Sequence, residues 1–153
     1  MVNPPQFYYP DIGELGEHLV AQWLESTGWM ILHRRFYSRW GEIDIIAQQD
    51  GQGLNQPCPQ LAFVEVKTRS PSNWDAGGRN AITAQKQTKI WRTAEMFLAE
   101  YPEKSHYCCR FDVAIVYRMT KLNRKYTDME PLARISLKGY ELYLQEYIQD
   151  AFS

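Results

Sequence analysis

The stretch Leu61–Ser70, "LAFVEVKTRS", constrains the fold more than any other part of the chain. It is apolar enough to be a buried strand, yet it carries a glutamate and a lysine two positions apart. Strand side chains alternate between faces, so Glu65 and Lys67 share one face and Val64 and Val66 take the other. A strand apolar on both faces belongs inside a sheet that is covered on both sides, and the covering layers in such folds are helices. Two charged groups on its inner length need a reason, because unpaired buried charge costs stability.

The rest of the chain supplies the layers. Asp11 to Thr27 has an apolar stripe at helical spacing, with Asp11 as N-cap and Gly28 as terminator. "WMILHRRF" (29–36) and "EIDIIAQ" (42–48) read as strands joined by a turn at "SRWG". Residues 50–60 are turn-forming and predict a long hairpin loop before the strand at 61–68. A loop at 70–79 leads to a second helix over 81–99, and "CRFDVAIVY" (109–117) is a fourth strand. A polar segment at 121–131 precedes a short strand at 133–137, and "YELYLQEYIQDAF" (140–152) reads as a terminal helix. The order α-β-β-β-α-β predicts an α/β fold with a central mixed sheet flanked by helices. A chain of 153 residues suits one domain, with a core over about 11–117 and a C-terminal extension over 118–153.

Composition excludes several classes. There is no long apolar run, so no membrane span is expected, and the first residues carry no basic leader or apolar signal core, which points to the cytoplasm. Cys58, Cys108 and Cys109 form no CxxC pair, and adjacent cysteines do not readily bridge, so all three are expected to be reduced packing residues. The histidines lack metal or triad spacing, and no glycine-rich phosphate loop precedes a lysine. The net charge of −1 gives no support for nucleic-acid binding, but residues 33–92 hold more basic than acidic side chains.

The preceding strand adds carboxylates to the pair at 65 and 67. In "GEIDIIA", Glu42 and Asp44 share a face, with Ile43 and Ile45 on the other. A hairpin would set Asp44 beside Glu65. Two such carboxylates repel, and one tends to take up a proton unless a divalent cation lies between them. Asp44 and Glu65 with the Val66 carbonyl suit Mg²⁺ or Mn²⁺, and Lys67 would stand beside the metal-held water. That chemistry is phosphodiester hydrolysis.

An acid ending one strand and E-x-K on the next resembles the restriction-endonuclease-like PD-(D/E)XK superfamily, here Asp44 and then Glu65-Val66-Lys67. The proline-aspartate pair itself is absent, since Ile43 precedes Asp44. The longer text "GELGEHLVAQWLESTGWMILHRRF", "GEIDIIA", "FVEVKTRS", "AITAQKQTKIWRTAEMFL" and "RFDVAIV" resembles the YraN-like family, bacterial proteins similar in fold to archaeal Holliday-junction resolvases. The resemblance implies a nuclease acting on nucleic acid, DNA above all, structured or branched. It implies a catalytic set of Asp44, Glu65 and Lys67, with Glu17 from the first helix reaching the metal held by Asp44 and Glu65. It matches Lys86 to a basic position that could meet a phosphate; Arg69 and Arg79 are further expected backbone contacts. Resolvase-like folds act as dimers, which makes a homodimer an expectation. Arg110 and Asp112 match the family's "RFD" with no role attached. The alternative is a non-cleaving nucleic-acid-binding or scaffold protein that keeps the nuclease fold.

Overall fold

The computed structural model describes residues 11–50, 58–70, 82–120 and 130–152. Helix α1 (Ile12–Ser26) starts at Asp11, whose side chain accepts the Gly13 N–H at 2.9 Å, as the sequence leads one to expect. It ends at Thr27, and Gly28 follows with φ +98°, a conformation that favours glycine. Strands β1 (Met30–Ser38), β2 (Gly41–Gln49) and β3 (Gln60–Arg69) form an antiparallel meander. Helix α2 (Ala84–Glu100) is capped by Thr83, and strand β4 (Cys108–Met119) pairs parallel to β3. Strands β5 (Ala133–Leu137) and β6 (Tyr140–Phe152) complete a six-stranded sheet in the order β1-β2-β3-β4-β6-β5.

The helices cover opposite faces of this sheet. Leu19, Val20 and Leu24 of α1 pack on Ile45, Val64, Val116 and Leu144. Ile90, Ala94 and Phe97 of α2 pack on Ile46, Leu61 and Phe63. The alternation expected for β3 is present, with Phe63 and Val64 in different clusters.

Three expectations are corrected. Residues 140–152 form strand β6, not a helix. Leu142 and Leu144 face the α1 side while Tyr143 joins Val113, Ile115 and Tyr117 on the other. A strand buried on both faces reads as a continuous apolar run, and helix-favouring Glu, Leu and Gln hide its period of two. Strand β4 needs a partner on its second edge, and β6 fills it. Next, Ile43 and Ile45 do not share a face. Ile43 lies with Ile46 and Phe63, Ile45 with Ala47 and Val64, so the alternation slips at Asp44. Lastly, Cys58 and Cys108 are joined in a disulfide, with Cα atoms 6.0 Å apart. The parallel register sets Gln60 opposite Cys108, which carries Cys58 to its partner. Cys109 stays a free, exposed thiol.

No helix among the described residues is long and apolar enough to cross a membrane.

Candidate functional site

Strands β2 and β3 pair from Gln49↔Gln60 to Ile45↔Val64, and the register ends there. One step beyond, the ladder is replaced by a side chain: Val66 N–H donates to Asp44 Oδ2 at 2.7 Å. Asp44 thus holds the two strands at the point where they part. Its neighbour across the gap is Glu65. Both are nearly buried, at 6% and 7% exposure.

Burial and the Glu65 charge push the Asp44 carboxyl up to about 8, against the opposing Val66 hydrogen bond. Glu17 and Glu42 add smaller repulsions. At neutral pH, Asp44 without a cation is therefore largely protonated.

Glu65 is differently placed. Lys86 Nζ lies 2.9 Å and Lys67 Nζ 3.6 Å from the same oxygen, Oε1. Residues at i and i+2 are far apart for an ion pair on a strand, but the length of the lysine chain closes that gap. Burial, and a hydrogen bond with Lys86, lower Lys67 to about 8. Lys86 loses by burial but gains more from its bonds to Lys67 and Glu65, and its pKa is raised. The two amines share one proton-poor position, Lys67, and one firmly charged position, Lys86. Lys86 sits in the first turn of α2, where Thr83 Oγ1 accepts its backbone N–H at 3.1 Å. It is thereby directed onto Glu65.

Glu17 approaches from α1 on the other face. It is buried, and Arg35 Nε donates to its Oε1 at 2.9 Å. Desolvation raises the Glu17 carboxyl, and the Arg35 bond opposes the rise. Arg35 has φ +56°, a left-handed conformation uncommon outside glycine. That backbone aims the guanidinium at Glu17, with Asp11 3.8 Å away on its other side. Among the described residues, no group of three or more His, Cys, Asp or Glu is close enough to hold a metal ion. Asp44 and Glu65 are gathered; Glu17 is near enough to repel Asp44 but is engaged by Arg35.

Arg69 ends β3, and its charge acts on Lys67. Arg79 lies outside the described residues. The "RFD" motif acquires a structural part: Asp112, fully buried, accepts from Arg110 Nε at 3.1 Å, Tyr147 OH at 2.6 Å and Asp150 N–H at 2.9 Å. The bonds from Tyr147 and Asp150 fasten β6 to β4. Sequence reasoning missed Arg35, because nothing in "HRRF" marks a positive φ. It also missed the Lys67–Lys86 contact, which crosses from strand to helix.

Such a fold and cluster define an α/β protein with a buried acid–lysine site at the open ends of two central strands. The chain belongs to the family described as Uncharacterised protein family UPF0102, which matches residues 16–116. A UPF0102 protein of Nostoc sp. is 56% identical over 142 residues, covering 93% of this chain and 94% of the relative. One from Trichormus variabilis is 57% identical over 145 residues, with 93% and 94% covered. One from Synechocystis sp. is 44% identical over 152 residues, with 93% and 97% covered.

Proposed function

We propose that this protein is a metal-dependent endonuclease of the restriction-endonuclease-like, YraN-like type, hydrolysing phosphodiesters in structured or branched DNA. The observation that carries the reading is Asp44, pinned by the Val66 N–H beside Glu65, with Lys67 and Lys86 on the Glu65 carboxylate.

The donor set fits Mg²⁺ or Mn²⁺. Hard carboxylate oxygens suit such ions, and the burial and Glu65 charge that push Asp44 up to about 8 are what a divalent cation offsets. Asp44 and Glu65 would hold the ion, with Glu17 joining once released from Arg35. The ion would supply Lewis acidity toward a phosphoryl oxygen and acidify water. The chain's own residues do the rest. Lys67, lowered to about 8, is able to take or return a proton near neutral pH. Lys86 stays charged and offsets negative charge beside Glu65. Arg69 and Arg79 meet the sugar–phosphate backbone, which gives affinity without sequence readout. The same reading carries a homodimer, to be checked by the mass of the protein in solution.

A second reading has its own support. Glu65 is already matched by two lysines and Glu17 by Arg35, so much of the cluster is satisfied without an ion. That suits a non-cleaving nucleic-acid-binding or scaffold protein.

A cleavage assay separates the two. Labelled duplex, single-stranded, flapped and four-way-junction DNA are incubated with Mg²⁺, Mn²⁺ or chelator. Asp44→Ala and Lys67→Ala run in parallel. The nuclease reading expects metal-dependent cutting by the wild type and losses of at least a hundredfold in both variants. Junction binding with no cutting of any substrate would favour the second reading.

A further inference from the structure

The turn between β1 and β2 carries a group of side chains that the site above does not use. Arg39 and Arg92 both stack on the ring of Trp40, with guanidinium carbons 4.9 Å and 4.3 Å from its centroid. Arg39 is in the turn and Arg92 is on α2, so the ring gathers two cations from separate elements. Both arginines are exposed, while Trp40 is half-buried. Among the described residues no carboxylate pairs with either arginine.

The turn itself is fixed. Trp40 N–H donates to Ser38 Oγ at 3.0 Å, and Ser38 Oγ lies 2.7 Å from Thr93 Oγ1. Each hydroxyl also reaches a carbonyl, Ser38 Oγ that of Gly41 at 3.3 Å and Thr93 Oγ1 that of Lys89 at 2.8 Å, and either can be the donor between them. This relay runs from the turn into the buried side of α2. Gly41 closes the turn at φ +141°, which a side chain would rarely adopt. The ring is therefore held in place before any ligand arrives.

A guanidinium lying on an aromatic face keeps the N–H groups on its edge available, and those match two phosphate oxygens at once. Two such forks, with no acidic partner among the described residues, present two adjacent exposed cations to an anion. Position says which anion. Lys86, Lys89 and Arg92 follow one another at intervals of three along α2, starting at Glu65. From Lys86 to Arg92 the helix rises roughly 9 Å. Steps of three turn back by about 60° each around a helix, so these cations form an oblique ridge that winds from Glu65 toward the turn, which suits a polyanion with regularly spaced charges better than a single ion.

We propose that Arg39 and Arg92, held on Trp40, form a phosphate clamp that grips the sugar–phosphate backbone of a nucleic acid. Lys89 continues the ridge toward the Asp44/Glu65 pair. This rests on the nucleic-acid reading above and extends it to a second contact point away from the reacting centre. The clamp is sequence-blind, and it sets the direction in which a strand leaves the site.

The test is binding without cutting. Full-length protein in chelator is titrated into fluorescein-labelled four-way-junction and single-stranded DNA at several salt concentrations. The variants are Arg39→Gln/Arg92→Gln, Trp40→Leu, and Arg134→Gln/Lys138→Gln. The last removes the same charge from the β5–β6 end of the sheet. The double arginine variant should bind at least tenfold more weakly, and its salt dependence should flatten by about 0.7–0.9 for each phosphate left without its arginine. Trp40→Leu keeps every charge and should still weaken binding several-fold. Arg134→Gln/Lys138→Gln should bind like wild type.

Unchanged affinity in the double arginine variant overturns the clamp, as does failure of the wild type to bind any nucleic acid. It also falls if polyglutamate or inorganic phosphate displaces the labelled DNA as well as unlabelled DNA does. Arginine-dependent binding without metal-dependent cleavage would keep the clamp and remove the nuclease reading. Cleavage with arginine-independent binding would do the reverse.

Discussion

Asp44 carries an ordinary strand position and an unusual charge. In the unfolded chain its carboxyl ionises near 3.8, while in the folded protein burial and Glu65 push it up to about 8. Between those values the folded state binds a proton that the unfolded state has lost, so stability falls as pH rises across that window and the cost is complete above it. Asp44→Asn removes the cost but keeps an oxygen for the Val66 N–H. In chelator, the variant should melt with wild type near pH 4 and several degrees above it at pH 8.5. The gain is on the order of a few kcal/mol, each worth about 2–4 °C in a chain of this size. Saturating Mg²⁺ should raise the wild-type melting temperature and leave the variant's unmoved. A gain equal at both pH values would show that the ionisation of Asp44 is not the source. The residues that bear this argument were legible in the sequence, because Glu65 and Lys67 interrupt an apolar strand and Asp44 ends its neighbour. Arg35 was not, since its left-handed backbone is imposed by packing and leaves no mark on residue type.

Helix α1 reaches the site by lying unusually close to the sheet, and one glycine makes that possible. A Cβ at Gly16 would come within 2.5 Å of Thr68 Oγ1 and 3.8 Å of a Val116 methyl. Threonine is branched at Cβ and has little freedom to move aside. Alanine elsewhere in a helix would be favoured over glycine by about 1 kcal/mol. Gly16→Ala should instead destabilise by about 1–3 kcal/mol, the usual cost of overpacking. Thr68 Oγ1 has no hydrogen-bond partner among the described residues, so Thr68→Ala alone should be mild. The two together should recover at least half of the loss, a coupling that chemical denaturation of the four proteins would measure. Additive effects would mean that α1 does not sit on Thr68. Glu17 follows Gly16, so the same contact sets how Glu17 meets Arg35. At this scale the sequence yielded both helices and five of the six strands. Strand β6 was hidden because its register is fixed by β4 and Asp112, partners distant in the chain, while its composition favours a helix.

The site exists only in the assembled molecule, with Glu17 from α1, Asp44 from β2, Glu65 and Lys67 from β3, and Lys86 from α2. Strand β3 and helix α2 lie within the segment closed by the Cys58–Cys108 bridge, whose ends are 50 residues apart. That pairing could not be read from spacing, because it depends on the parallel register of β3 on β4. A bridge across such a loop restricts the unfolded chain more than it alters the folded one, and chain entropy puts the effect at up to about 4 kcal/mol. Cys58→Ser/Cys108→Ser should therefore unfold at a clearly lower urea concentration than the oxidised protein. Reduction of the wild type should lower its midpoint to the same value. Neither change should move the Asp44–Val66 contact, because the β2–β3 and β3–β4 ladders hold it independently. Junction affinity well below the unfolding transition should therefore be the same in all three forms. Equal midpoints for the oxidised protein and the serine variant would exclude a stabilising bridge, whereas weaker junction binding after reduction would mean that the bridge shapes the binding face directly.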